Sequence, residues 1–204
     1  MLLCDIGNSF AKFYDGKELK RIPITQIKQY RRQKVCFINV NPKVEKLLEE
    51  FENWINLEQY ITLDTSYKGL GVDRKALCWG VEEGVIVDAG SAITVDVMEK
   101  GRHKGGFIIP GIRFLQRDFA EISSRLAIDT LQEVDLTHLP QNTLSAISYG
   151  IIKPIVLAIK QFDMRIYITG GDGELLHHYI PEALYDPLLL FKHLEKLVQR
   201  KGLC

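Results

Sequence analysis

Cysteine is scarce in this chain: four in 204 residues, at positions 4, 36, 78 and 204. No two have C-x-x-C spacing, which excludes a zinc knuckle or a thioredoxin-type redox pair. Cys4 and Cys36 lie inside apolar runs and read as buried free thiols, which fits a reduced, cytoplasmic compartment. Net charge is also missing, since Lys+Arg and Asp+Glu each number 26. A chain without a net basic field is not expected to bind nucleic acid. The basic stretch KQYRRQK at 28–34 has no base-reading pattern beside it and reads as solvated surface. The N-terminus lacks the basic region and apolar core of a signal peptide. No run approaches the ~18 apolar residues of a membrane span, so no membrane is expected. Neither G-x-x-x-x-G-K-[ST] nor a strand followed by G-x-G-x-x-G occurs. Histidines 103, 138, 177, 178 and 193 show no metal spacing and read as non-catalytic.

Hydrophobic residues are plentiful at 46%, enough for one large core or two small ones. Residues 2–6, 10–14 and 18–24 read as three strands of an antiparallel meander, turning at Asn8-Ser9 and Asp15-Gly16. KVCFINV at 34–40 is a fourth, more buried strand. Asn41-Pro42 reads as a helix cap with Pro in the first turn. Val44, Leu47, Leu48, Phe51 and Ile55 follow at helical spacing, and YITLD at 60–64 reads as a fifth strand. After a Gly-bearing loop at 65–72, a short helix is predicted near Asp73.

The meander then recurs. Residues 84–88, 92–98 and 102–109 read as strands, and Pro110-Gly111 opens a helix through about Leu126. A long apolar helix is predicted from Thr143 to about Phe162, buried on several faces. A strand at 165–169, a Gly170-Gly171 turn into a short helix, and an amphipathic helix at 186–200 complete the chain. The order of elements therefore occurs twice, as an internal duplication of α/β type. The boundary falls near 78–83, giving domains 1–80 and 81–204. So short a linker implies that the copies pack face to face with a cleft between them.

Each copy begins with the same grammar: DIGNS at 5–9 and VDAGS at 87–91. An apolar strand ends in Asp, and a Gly and small polar residues follow. Such a turn exposes backbone N–H groups, which bind anions and phosphates in particular. Gly lets a ligand approach the backbone. An aspartate beside phosphate makes sense when a cation sits between them. One such turn is explained as well by an ordinary hairpin. Two of them, each at the first strand end of its copy, point to a polyphosphate.

The motifs resemble those of the type III pantothenate kinases, within the actin–hexokinase–Hsp70 phosphotransferase superfamily. The resemblance rests on DIGNS at 5–9, GVDR at 71–74, VDAGSAITVD at 87–96, GGFIIPG at 105–111, NTLSAISYGI at 142–151 and ITGGDG at 168–173, and runs nearly end to end. It implies two duplicated ribonuclease-H-like (actin-like ATPase) domains, a cytoplasmic homodimer, and ATP-dependent phosphorylation of pantothenate toward coenzyme A. The resemblance makes Asp73 the general base, and Tyr67, Gly71, Val72, Asp73, Arg74 and Thr143 the pantothenate contacts. Arg74 suits a bidentate grip on the pantothenate carboxylate. Asp5, Ile6, Gly7, Asn8, Ser9, Lys12, Ser91, Gly170 and Gly171 fall to ATP. Asp5 organises Mg2+ indirectly, and Asp88 holds a monovalent cation, K+ or NH4+. Thr94 and Asp96 continue the Asp88 hairpin, and GGFIIPG is placed at the dimer interface. From the residues alone, Asp73 and Thr143 read equally as helix-start residues, and Lys12 equally as a solvent-facing lysine. Prolines expected before Leu70-Gly71 are missing from the loop. Another small-molecule kinase of the superfamily, or a non-catalytic nucleotide-binding regulator, is the alternative.

Overall fold

A computed structural model describes residues 1–203; Cys204 lies outside the described residues. Strands β1 (Leu2–Ile6), β2 (Phe10–Tyr14) and β3 (Leu19–Pro23) lead through a 3-10 segment to β4 (Val35–Asn39). Helix α1 (Glu45–Glu49), β5 (Trp54–Asn56), β6 (Asp64–Thr65) and α2 (Val72–Trp79) follow. Next come β7 (Gly84–Ala89), β8 (Ala92–Glu99), β9 (Arg102–Pro110) and α3 (Ile112–Ile122). The chain continues with α4 (Thr143–Lys160), β10 (Ile166–Thr169), α5 (Gly173–Tyr179), β11 (Leu184–Tyr185) and α6 (Leu189–Lys201). It divides into two compact units. The first comprises Met1–Glu82, Gly101–His103 and the segment from Leu188 onward; the second comprises Glu83–Lys100 and Lys104–Pro187.

The first unit carries a sheet of order β3-β2-β1-β4-β5. The meander is antiparallel, and β4 and β5 join parallel to it. Alternation along β1 sends Cys4 and Ile6 into a core with Ala11, Phe13, Ile22 and Phe37. Trp54 closes that core, with its ring 5.1 Å from Phe51, 5.5 Å from Phe37 and 6.0 Å from Phe13. The opposite face bears Leu3 and Asp5. On that side α6 packs on β1, α2 packs on β4 and on α6, and Phe191 meets Tyr14 at 5.5 Å. This places the head of α2 near the end of β1.

The fifth strand is not 60–64. Tyr60 ends a 3-10 turn, and the strand is the three-residue β5, paired Val35↔Trp54 with β4. Ile55 belongs to that strand, so it is not part of the helical stripe expected through it. Helix α1 spans only five residues after the 3-10 turn that Asn41 caps. Cys4 and Cys78 are buried free thiols, whereas Cys36 is disulfide-bonded rather than free.

The second sheet has six strands in the order β11-β10-β7-β8-β9-β6, with β7 and β8 antiparallel, β10 and β11 added parallel, and the two-residue β6 parallel to the start of β9. With β6 left aside and each set numbered in chain order, both sheets share the order 3-2-1-4-5. Val85, Val87 and Ala89 of β7 meet Ile147, Ile151, Ile155 and Ile159 of α4. By length and composition α4 could cross a membrane, contrary to the expectation from sequence that no run approached that length. It buries one face rather than several, leaving Leu144, Gly150, Pro154 and Leu157 exposed. Pro154 cannot donate to the Gly150 carbonyl one turn back, and both residues lie on that exposed side.

Candidate active site

In the first unit, the register pairs Asp5 with Lys12 across β1 and β2, so the two side chains share a face. Lys12 Nζ donates to Asp5 Oδ2 at 3.3 Å, so this lysine does not simply face solvent. Gly7 N–H closes the hairpin on the Phe10 carbonyl at 3.0 Å. The carbonyls of Gly7 and Asn8 both accept from the Asn41 amide, at 3.3 and 3.1 Å, and the Ser9 carbonyl accepts from Ile24 N–H. With its carbonyls taken up, the turn offers a ligand donors: the Asn8 and Ser9 N–H groups and side chains. That is the polarity an anion requires.

Helix α2 begins at Gly71-Val72. Its N-cap is Gly71, with no side-chain cap. The Asp73 carboxylate folds back toward Gly71, and its Oδ1 accepts from Arg74 N–H at 2.8 Å. Burial pushes the Asp73 carboxyl above its ordinary value, against the pull of that hydrogen bond, and the charge of Asp5 adds to the rise. Arg74 is 5% exposed. A buried guanidinium must be partnered; it lies 5.0 Å over the Tyr67 ring and its Nη1 donates to Tyr67 Oη at 3.4 Å. Asp5, Lys12, Tyr67, Gly71, Val72, Asp73 and Arg74 all belong to this one unit.

In the second unit, the Asp88 turn is built from backbone. Ser91 carbonyl accepts from Gly111 N–H at 3.1 Å, and Ala89 carbonyl accepts from Asp172 N–H at 2.9 Å. A Cβ on Gly111 would collide with the Gly90 and Ser91 carbonyls. Gly170, at φ +93°, would drive one into the Ala89 carbonyl and the Asp88 carboxylate. The fold thus brings Gly170 against Asp88, 82 positions apart in sequence, with Gly171 following. Register sets Thr94 and Thr169 on either side of Asp88. Asp96, opposite Ile86, is buried two pairs further along. Thr143 starts α4, where the Asn142 side chain caps by accepting from Ser145 N–H at 2.9 Å. A cavity of about 530 Å³ opens there, lined by Phe119, Leu126, Pro140, Asn142, Thr143 and Ile147.

The sequence reading missed several supporting residues. Asn41 was legible only as a cap, and nothing local joins it to Gly7. Thr65 and His103 carry no motif, and Thr169 lies inside ITGGDG but was given no role; the strand register reveals all three.

A family profile for type III pantothenate kinase matches residues 17–164. A type III pantothenate kinase of Campylobacter jejuni strain NCTC 11168 is 45% identical over 202 residues, covering 98% of this chain and 97% of the relative. One from Wolinella succinogenes is 46% identical, with 98% and 97% covered. A solved Campylobacter jejuni structure, described provisionally as a conserved Baf family transcriptional activator, is 44% identical. It covers 99% of each chain with a TM-score of 0.92. With a family profile matched over residues 17–164 and relatives matched over nearly their whole length, this chain belongs to the type III pantothenate kinase family.

Proposed function

We propose that this chain transfers the γ-phosphoryl group of ATP to the primary hydroxyl of pantothenate, the first committed step toward coenzyme A. The observation that carries the reading is Asp73, whose half-buried carboxylate sits at the head of α2, raised in pKa chiefly by desolvation, beside a buried arginine. A base must bind its proton well enough to take it from an alcohol as the new bond forms. In the reaction, the substrate oxygen bonds to the γ-phosphorus, the bond from that phosphorus to the ADP oxygen breaks, and the hydroxyl proton passes to Asp73. Arg74 holds the pantothenate carboxylate in a bidentate grip. Tyr67, Gly71 and Val72 line that pocket, and Thr143, at the mouth of its own cavity, adds a substrate contact.

On the ATP side, Gly7, Asn8 and Ser9 donate to the phosphates, following Ile6 at the strand end, and Lys12 adds a cation. In the second unit Ser91 donates a hydroxyl, and Gly170 and Gly171 let the nucleoside lie against backbone. Asp5 suits Mg2+ held indirectly: one carboxylate already engaged by Lys12 fits an ion that keeps its waters and binds mainly through phosphates. Magnesium neutralises charge on the β- and γ-phosphates when bound. The Asp88 carboxylate, flanked by Thr94 and Thr169, offers the hard oxygen donors a monovalent K+ or NH4+ takes. The strand order 3-2-1-4-5 shared by the two sheets, β6 aside, supports a duplicated pair of ribonuclease-H-like domains, divided near residue 80 with α6 returning to the first. The exposed Ile108 and Phe114, in and beside GGFIIPG, support a homodimer. A cytoplasmic location completes the proposal.

The regulatory reading draws on the description of the solved relative alone. A coupled ADP-release assay with ATP and pantothenate, with and without potassium, separates the two. Pantothenate-dependent ADP release is expected, and its absence under both conditions would remove the kinase reading.

A further inference from the structure

The loop between β6 and α2 has little to hold it. Ser66, Tyr67, Lys68 and Gly69 are exposed, and burial resumes only at Leu70. Yet Tyr67, 37% exposed, is engaged on three sides. Its N–H donates to Thr65 Oγ1 at 3.0 Å, its ring lies 5.9 Å from the His103 ring, and its hydroxyl accepts from Arg74. Thr65 is the common point. The two-residue β6 pairs parallel with the start of β9 in the register Thr65↔His103, setting their side chains next to each other. Thr65 Oγ1 and His103 Nδ1 are 2.7 Å apart, a short hydrogen bond whichever atom carries the proton. His103 is 1% exposed and fixed in its strand. A chain of contacts therefore runs from the buried His103 through Thr65 to Tyr67, and from Tyr67 to the guanidinium of Arg74.

We infer that Thr65 and His103 are positioning residues for the acceptor substrate: they clamp Tyr67, and through it set Arg74 where it meets a carboxylate. This rests on the reading of residues 67–74 as the pantothenate loop. A rigid buried anchor is what an exposed aromatic needs if it is to shape a pocket without being buried itself. The hydroxyl of Thr65 is central because it serves both neighbours at once.

Thr65→Val keeps the shape and removes the hydroxyl. It is expected to raise the pantothenate KM about tenfold, the effect of losing a hydrogen bond that orders a binding group. The ATP KM and kcat should stay within about twofold. Thr65→Ser should restore the pantothenate KM. In a double-mutant cycle with Tyr67→Ala, Thr65→Val should add almost nothing, because its effect passes through the ring already removed. Backbone hydrogen exchange should show the Tyr67 amide losing protection in Thr65→Val and keeping it in Thr65→Ser. The inference is overturned by an unchanged pantothenate KM in Thr65→Val, by equal losses toward both substrates, or by full additivity with Tyr67→Ala. Wild-type protein without pantothenate-dependent ADP release overturns the substrate role. The clamp is then decided by exchange, where unchanged protection of the Tyr67 amide in Thr65→Val refutes it. If Thr65→Val fails to fold, Thr65→Ala takes its place in every comparison.

Discussion

The turn after Asp5 is held by the Asn41 side chain as well as by backbone bonds, and the turn after Asp88 is braced by backbone bonds and closely packed glycines. In the first, the Asn41 amide takes up two carbonyls and Lys12 reaches Asp5. In the second, Gly111 and Gly170 come so close that no side chain fits, and N–H groups of Gly111 and Asp172 hold the carbonyls. The strand pattern around the two is the same. The two sheets therefore place a turn at the same point of their strand order, while the means of holding it differ. A turn fixed by side chains can lose one hydrogen bond and keep its shape. A turn wedged between glycines cannot gain one carbon atom without moving its neighbours.

That contrast yields expectations of graded size. The largest is for Gly170→Ala, which meets a positive φ and collisions with the Ala89 carbonyl and the Asp88 carboxylate. It should destabilise the protein by about 2–4 kcal/mol in chemical denaturation, and a variant as stable as wild type would break the contrast. Asn41→Ala should cost about 1–3 kcal/mol, since Asn41 is 2% exposed and its removal leaves turn carbonyls unsatisfied. Its ATP KM should rise while the pantothenate KM holds, as read by steady-state kinetics. A rise in the pantothenate KM alone would detach Asn41 from the phosphate turn. The smallest stability change belongs to Lys12→Met. Its ammonium pairs with Asp5 at 3.3 Å, but the lysine side chain is 39% exposed, so the loss should stay below about 1 kcal/mol. A loss of several kcal/mol by the same denaturation would show the first turn to be as rigid as the second.

The same division between local and distant causes explains what could be read from the sequence. Both meanders were legible because alternation and turn residues act within a few positions of one another. DIGNS, GVDR and VDAGS were legible for the same reason. The stretch 60–64 alternates like a strand, but Leu57 and Ile61 are buried at either end of a 3-10 turn instead. The true fifth strand has three residues and exists because β4 offers it a parallel edge 19 positions upstream, at Val35↔Trp54. In the candidate site, the illegible parts are the supports: Asn41 beneath Gly7 and Asn8, His103 beside Thr65, and Gly111 against Ser91. Each joins residues 20 to 38 positions apart. No local pattern records such a pairing, because tertiary packing alone creates it. The Asp73-Arg74 pair was visible as a motif. The burial of Arg74 and the upward shift of Asp73, which favour chemistry over a surface helix start, were not.

The central claim is that Asp73 takes the proton of the substrate hydroxyl, and Asp73→Asn tests it with little change of shape. Asn can still accept the Arg74 N–H bond, so the head of α2 should stand. In the coupled ADP-release assay with saturating pantothenate and ATP, the account expects kcat to fall by about 10²–10⁴-fold, with the circular dichroism and melting behaviour of the fold retained. A kcat within a few-fold of wild type would contradict it.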